Sequence, residues 1–282
     1  MTYITAEHRY AGAAEFYVED HGDGPPVVLI HGYPLDARSW AKQSGPLLAA
    51  GRRVVTYDRR GFGRSPAAVD GFDVGFDVFA ADLDALLTGL DLVDVVLVGH
   101  AMGTGEIVRY LGTYGSARVA RAVLLAPLPP YLLRTEQTPD GLDLAEFDAL
   151  MARARRDHAG YLSEFVDAMF DAGDSPGGEL PVTDAADVAT WKRLAAELSP
   201  RACTAMIPTW ITDFRSDLAA IDVPVLVMQG DRDRVLPIGA TGCHLRTLLP
   251  KADHIEIVGA PHALHWTHDD RVNRELLDFI GD

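Results

Sequence analysis

Short runs of Val and Leu alternate with helical patterns along the first 127 residues, and this alternation strongly limits the possible folds. The apolar runs end at Gly, Pro or polar residues, and they lie at residues 25–32, 52–58, 94–100 and 121–127. Continuous runs of this kind are typical of strands buried on both faces of a parallel sheet. The stretch FAADLDALLTGL (79–90) between two of them has helical spacing. The pattern predicts an α/β fold with a mostly parallel central sheet flanked by helices.

The strand patterns stop after residue 127 and return after residue 221. The intervening segment has helical patterns with aromatic residues, interrupted by turn sequences at 139–141 and 174–178. Strand patterns follow at 223–230 and 254–261, and a closing helical pattern ends the chain. We therefore expect a core domain of residues 1–127 and 222–282 and a helical cap of residues 128–221. The cap would cover the carboxyl edge of the sheet, where ligands bind in open α/β sheets.

Composition argues against several functional classes. The chain has 282 residues and a formal net charge of −16, which opposes binding to nucleic acid or to an anionic membrane surface. No apolar run approaches the roughly 18 residues of a membrane helix. Cys203 and Cys243 lie in no metal-binding motif, and the N-terminus resembles no signal peptide. We expect a cytoplasmic protein with no membrane or nucleic-acid partner.

The stretch VVLVGHAMGTGE (95–106) contains the first candidate for chemistry. Gly99 and Gly103 bracket His-Ala-Met between a predicted strand and a helical pattern. A G-x-S-x-G turn in this setting presents a nucleophilic serine at its tip. Ala101 occupies that tip here, and a methyl group cannot attack a carbonyl. Neither Thr104, one turn into the helix, nor His100 is expected to replace the nucleophile.

Two later loops supply a carboxylate and an imidazole. GDRDRVLP (230–237) follows a predicted strand and offers Asp233, with Asp231 as the weaker candidate. GAPHALHWTH (259–268) places His262 after the last strand pattern. An isolated Asp or His is usually structural, but position 101, Asp233 and His262 follow the chain order of a Ser-Asp-His triad on this type of sheet.

A loop near the N-terminus completes the pattern. HGYP (31–34) ends the first strand run. In this arrangement one oxyanion donor is the N–H after the nucleophile and the other comes from this loop. These donors would be Met102 and Tyr33, because Pro34 has no N–H.

Together these segments resemble the cofactor-free, non-haem chloroperoxidase and bromoperoxidase branch of the α/β-hydrolases. The resemblance extends over nearly the whole chain, and it rests on HGYPLDARSW, YDRRGFGRS, DVVLVGHAMGTGE, APLPPYLL, PTWITDFRSD, DRVLPI and GAPHALHWTH. It implies an α/β-hydrolase fold with a cap and an esterase able to form peracids. It also implies Asp233 and His262 as acid and base, Tyr33 and Met102 as oxyanion donors, no cofactor, and a homo-oligomer.

The sequence departs from this family at Ala101, where the family has serine, and three hypotheses follow. In the first hypothesis, the chain is an esterase that has been inactivated by replacement of its serine with alanine. Alternatively, alanine is native, and His262 with Asp233 performs proton transfer as in a lyase, isomerase or cyclase. In the third hypothesis the pocket only binds a small molecule. A serine codon in the parent gene would favour the first hypothesis, and turnover by this chain would favour the second. Tight binding with no turnover, even when serine is restored at position 101, would favour the third.

The pocket is expected to take a small apolar acyl ester or lactone. Tyr33 and Val235 adjoin the oxyanion and acid loops, and Leu128 follows the strand after the nucleophile helix. Phe165 and Trp210 are the candidate cap contacts. Aromatic and Met residues at helical spacing more often form core, which is the competing interpretation for the cap residues.

Overall fold

The structure is a computed structural model that describes residues 2–8, 12–65, 74–172 and 184–281. The turn predicted at 174–178 lies outside these residues. An eight-stranded sheet forms the centre, with the strand order β1-β2-β4-β3-β5-β6-β7-β8. The strands are β1 Thr2–His8, β2 Gly12–His21, β3 Pro26–Ile30, β4 Arg53–Tyr57, β5 Val95–His100, β6 Val119–Leu125, β7 Val225–Gly230 and β8 Asp253–Ile257.

The strands from β4 to β8 across the sheet pair in parallel, while β1 and β2 form an antiparallel hairpin at one edge. The six parallel strands correspond to the six apolar runs of the sequence. The hairpin was not predicted, because neither β1 nor β2 has a long continuous apolar run or a regular alternation of polar and apolar residues. The α/β-hydrolase arrangement predicted from the sequence is thus confirmed, with the hairpin as an addition.

Helices cover both faces of the sheet, and successive residues of one strand serve different cores. Val28 and Ile30 of β3 pack in the core beneath α2 and α3, whereas Val27 and Leu29 face the core beneath α1 and α11. This two-sided burial explains the continuous apolar runs. These helices are α1 Ala41–Ala49, α2 Phe76–Gly89, α3 Met102–Tyr114 and α11 Asp269–Ile280, with two shorter ones, α9 Gly242–Leu248 and α10 Leu264–Thr267.

A group of helices lies between β6 and β7 in the chain, and we call the first four the cap helices. They are α4 Leu144–Arg156, α5 His158–Met169, α6 Ala185–Ala195 and α7 Pro200–Met206, and the short α8 Arg215–Leu218 follows them. The apolar stripe of α5 is buried through Leu162, Val166 and Met169. Among the described residues, no helix is long and apolar enough to cross a membrane.

A cluster of buried rings fills the space behind the carboxyl end of β5. The His265 ring lies 4.2 Å from that of His100, 4.9 Å from Trp40 and 5.5 Å from Trp191, measured between centroids. All four side chains are fully buried. Burial lowers the pKa of His265 from 6.5 to about 3 and also lowers that of His100. Both imidazoles are therefore neutral in the folded protein at pH 7.

The folded protein should become less stable below about pH 6.5. In the unfolded chain these imidazoles bind protons at that pH, whereas in the folded protein they stay neutral. Each such ring lowers the free energy of unfolding by about 1.4 kcal/mol per pH unit until its folded pKa is reached. We expect His265→Gln to reduce the slope of unfolding free energy against pH by about that amount between pH 6 and pH 4, measured by urea unfolding.

The matched control is His21→Gln, since His21 is exposed. This change should leave the slope as it is. Equal slopes for His265→Gln and the unchanged protein would contradict the neutral, buried state of His265.

Candidate active site

The turn from β5 into α3 holds Ala101 in an unusual backbone conformation. Its φ of 49° and ψ of −114° lie where L-residues are rare. The Ala101 N–H donates to the Leu125 carbonyl at 2.9 Å, and the Thr104 N–H and hydroxyl both donate to the Ala101 carbonyl. Such conformations cost about 1–3 kcal/mol and persist where their surroundings enforce them, commonly at functional sites.

Close backbone approach explains the glycines around this turn. A Cβ on Gly103 would lie 2.3 Å from the Ile30 carbonyl oxygen, and one on Gly99 would lie 2.7 Å from the backbone of Gly103. A Cβ on Gly32 would lie 3.1 Å from the Cβ of Ala101. The loop after β3 therefore lies directly against the turn that carries Ala101.

His262 and Asp233 form a buried hydrogen-bonded pair. The Nδ1 of His262 lies 2.8 Å from Oδ2 of Asp233. The other carboxylate oxygen accepts from the N–H groups of Val235 at 2.9 Å and Leu236 at 2.8 Å. The His262 carbonyl oxygen lies 3.0 Å from Nε2 of His100. These bonds fix the carboxylate and leave Nε2 of His262 as the nitrogen that Asp233 does not engage.

The alternative residues near the pair have other partners. Asp231, the weaker candidate for the acid, is exposed, and its carboxylate accepts from the N–H of Gly259 at 2.7 Å. His265 is buried among aromatic rings. His268 contacts the hydroxyl of Thr267 at 2.9 Å. Asp231, His265 and His268 do not line the cavity that His262 borders.

The two residues predicted as oxyanion donors lie on either side of Ala101. Met102 is the first residue of α3, and N–H groups in the first turn of a helix have no acceptor within that helix. Tyr33 follows Gly32, whose carbonyl accepts from Leu35 and closes the loop turn at 3.1 Å. Tyr33, Ala101, Met102 and His262 all line one cavity. Their role as donors stays a prediction.

A buried ion pair links α3 to the loop after β4, and hydrogen bonds from Arg59 continue to the loop after β3. The Nε of Arg59 lies 2.6 Å from Oε2 of Glu106, and both side chains are almost completely buried. Arg59 also donates to the His31 carbonyl from Nη1 at 3.1 Å, and its N–H donates to Nε2 of His31 at 3.0 Å. The Tyr57 hydroxyl donates to the Glu106 carboxylate. Burial raises the pKa of Glu106 from 4.5 to about 7, against the opposing charge of Arg59.

This pair is a feature that the sequence interpretation missed. Glu106 belongs to a helix whose first seven residues are all buried, and a carboxylate in such a stretch requires a buried partner. That requirement was the available signal, although it does not name Arg59. The pair connects the helix that begins at Met102 with the loop that carries Tyr33.

The cavity has a volume of about 510 Å³, which is within the usual range for small-molecule sites. The predicted contacts Leu128, Phe165, Trp210 and Val235 all line it. The sequence interpretation missed an apolar wall from α4 and the segment before it, comprising Leu132, Leu142, Phe147 and Leu150. The structure thus places a largely apolar cavity beside Ala101 and His262.

Two further cap residues, Met169 and Trp191, are fully buried and do not line this cavity. Their burial agrees with the interpretation that aromatic and Met residues of the cap form part of the hydrophobic core. In the described part of the chain, no group of three or more His, Cys, Asp or Glu side chains is arranged to hold a metal ion.

Breaking the Arg59–Glu106 pair should destabilise the protein strongly. Glu106→Gln leaves a buried guanidinium without its counter-charge, which typically costs about 3–5 kcal/mol. We expect a loss of this size in the free energy of unfolding measured with urea. The double change Arg59→Met with Glu106→Leu removes both charges and should recover much of the loss. A Glu106→Gln protein of unchanged stability would contradict the importance of this pair.

Known proteins share the fold of this chain. The alpha/beta hydrolase fold family matches residues 25–269. A Synechocystis sp. protein assigned to the non-heme chloroperoxidases is 47% identical over 281 residues, which cover 99% of this chain and 100% of that protein. A non-heme chloroperoxidase of Kitasatospora aureofaciens is 38% identical, with 95% and 96% of the two chains covered.

A solved structure shows the same similarity in three dimensions. The bromoperoxidase from Bacillus anthracis superimposes with a TM-score of 0.90 and 38% identity, and the match covers 100% of both chains. Sequence and structure thus agree over the full length, core and cap segment together. The chain belongs to the α/β-hydrolase fold family, in its non-haem chloroperoxidase and bromoperoxidase branch.

Proposed function

We propose that the cavity is the acyl-transfer site of a serine esterase in which Ala101 stands in place of the attacking serine. One observation carries this proposal. Ala101 occupies a strained turn beside an intact His262–Asp233 pair. A residue with φ near +50° is most easily supplied by glycine, and alanine gains no chemistry from the strain. The conformation makes sense for a side chain that must be presented to the cavity.

With serine at position 101, the residues present would support a two-step acyl transfer. Nε2 of His262 would take the hydroxyl proton while Asp233 holds the imidazole in the required tautomer. The N–H groups of Tyr33 and Met102 would stabilise the oxyanion, a contribution of several kcal/mol to the barrier. His262 would pass that proton to the leaving alcohol, which departs and leaves the acyl group on the serine. His262 would then activate a water molecule, whose attack releases the acid and restores the serine.

Hydrogen peroxide could replace water in the second step. Attack of peroxide on the acyl-enzyme would release a peracid, which oxidises halide without a metal. A relative that is 32% identical over 285 residues, from Acinetobacter calcoaceticus, is named a bifunctional esterase/perhydrolase. That name and the complete dyad support perhydrolysis as a secondary activity of the serine form.

The cavity favours a small substrate with an apolar acyl group. Leu128, Phe165, Trp210 and Val235 contribute carbon surface, and the α4 wall extends it. Burial of apolar surface contributes about 25 cal/mol per Å² to binding. We therefore assign carboxylic esters or lactones with a short apolar acyl chain as the substrate class.

The deciding experiment compares this chain with Ala101→Ser. Loss of the nucleophile in a complete triad typically lowers kcat by about 10⁶-fold, with a residual rate from the oxyanion hole and binding. We expect Ala101→Ser to hydrolyse p-nitrophenyl acetate at least about 10⁴-fold faster than the alanine protein. The assay follows p-nitrophenolate release at fixed protein concentration.

A second substitution controls for adventitious activity. Ala101→Ser combined with His262→Gln should return the rate to near that of the alanine protein, because the serine then lacks its base. An inactive Ala101→Ser protein that is folded by circular dichroism would overturn the esterase proposal. A peracid assay with acetate and hydrogen peroxide on the same proteins tests the secondary activity.

A second candidate function, proton transfer beside a carbonyl, follows from the dyad alone. The bond between His262 and Asp233 requires no hydroxyl at position 101, and Nε2 of His262 remains a base. A base beside oxyanion donors can form and stabilise an enolate. If the alanine protein exchanges the α-protons of small ketones or esters for deuterium by NMR, and His262→Gln does not, this function replaces the esterase proposal.

A further inference from the structure

The C-terminal end of cap helix α5 contacts both loops that carry the dyad. The Met169 carbonyl accepts from the Ala263 N–H at 2.9 Å, directly after His262. The Asp171 carboxylate lies 2.7 Å from Nη2 of Arg232 and also pairs with Nε of Arg234. These arginines immediately precede and follow Asp233 in the chain. The C-terminal end of α5 therefore contacts the loop that carries His262 (the base loop) through one backbone hydrogen bond. It contacts the loop that carries Asp233 (the acid loop) through two ion pairs.

Asp171 is held firmly in this position. It is 6% exposed, and its φ of 51° is in the left-handed region, where Asp is more tolerated than most non-glycine residues. Arg232 and Arg234 are more accessible, with side chains 27% and 42% exposed. The buried carboxylate thus anchors two guanidinium groups that reach it from the acid loop.

The charges suggest why a carboxylate is needed there. Arginine is a strong partner for any carboxylate within reach, because its planar fork fits both oxygens. Asp233 lies between Arg232 and Arg234, and its carboxylate must stay available to His262. By engaging both guanidinium groups, Asp171 keeps them from competing with His262 for Asp233.

The same helix also reaches the cavity. Phe165 and Ala168 of α5 line it, beside Tyr33 and Ala101. Helix α5 therefore contacts the space for substrate with one part and the dyad loops with its end. Movement of this helix against a bound acyl group would be transmitted to Asp233 and His262 by the contacts of Met169 and Asp171.

We propose that Asp171 is a positioning residue that couples cap helix α5 to the His262–Asp233 pair. It acts through Arg232 and Arg234 and does not touch the substrate. The kinetic part of this proposal rests on the esterase function assigned above, whereas the contact between Asp171 and the acid loop does not.

The kinetic test uses Ala101→Ser as the parent protein. Asp171→Asn keeps the shape of the side chain but removes the negative charge with which Arg232 and Arg234 pair. We expect kcat for p-nitrophenyl acetate to fall by about 10–100-fold, the range typical of a small misplacement of catalytic groups, with little change in KM.

The control changes a carboxylate inside α5, whereas Asp171 lies two residues past the end of the helix. Asp167 pairs with Lys192 of α6 at 2.7 Å and is not part of the contacts to the dyad loops. Asp167→Asn should leave kcat and KM near the parent values. Adding Arg234→Gln to Asp171→Asn should restore part of kcat, because one competing guanidinium group is then gone, which a purely structural defect would not do. Equal effects of Asp171→Asn and Asp167→Asn on kcat would overturn the proposal.

A measurement on the alanine protein separates this proposal from the esterase function. The Nδ1 proton of His262 shared with Asp233 should give a downfield ¹H NMR signal without turnover. This signal should weaken or shift upfield in Asp171→Asn and persist in Asp167→Asn, even if Ala101→Ser is inactive. If Asp171→Asn does not fold, Asp171→Gly suits the positive φ at this position, removes the same carboxylate and should weaken the same signal. An unchanged signal in the folded variant would refute the coupling.

Discussion

The abrupt turn at Ala101 is the constraint on which the rest of the site depends. To carry the chain from a buried strand into a buried helix within one residue, the backbone adopts a positive φ. Gly99, Gly103 and Gly32 then lack side chains because neighbouring backbone occupies their space. The helix start and the loop after β3 are brought together as a result. The geometry at position 101 therefore exists whether the residue there is serine or alanine.

Buried polar groups hold this arrangement from behind. The Arg59–Glu106 pair joins α3 to the loop after β4, and Arg59 also bonds to His31 in the loop after β3. His100 bonds to the backbone of His262. Each buried group opposes folding unless its partners are present. A site of this kind is rigid, because the loss of one buried polar group leaves its partner without a hydrogen bond or a counter-charge. Burying these groups opposes folding, but their contacts hold separate loops in fixed positions around one cavity.

Much of this could be predicted from the sequence, because some features leave a local signature. Six strands were recognisable from continuous apolar runs, and Ala101, Asp233 and His262 from their loops and chain order. The β1–β2 hairpin was missed because its alternation is weak. The ion pair between Arg59 and Glu106 could not be predicted from the sequence, because ion pairs between residues distant in the chain follow no spacing rule. The same applies to the contact of Asp171 with the two arginines.

The end of helix α5 has a consequence for how such proteins diversify. A cap exchanged between relatives at the borders of β6 and β7 would bring its own helix end to meet the resident acid and base loops. The chimera would keep a working dyad only if the incoming helix supplied a carboxylate and a carbonyl where Asp171 and Met169 stand. The residues that set the substrate range and those that position the dyad would thus be exchanged together. Recombination would succeed most often between caps that have the same carboxylate and carbonyl at the end of this helix.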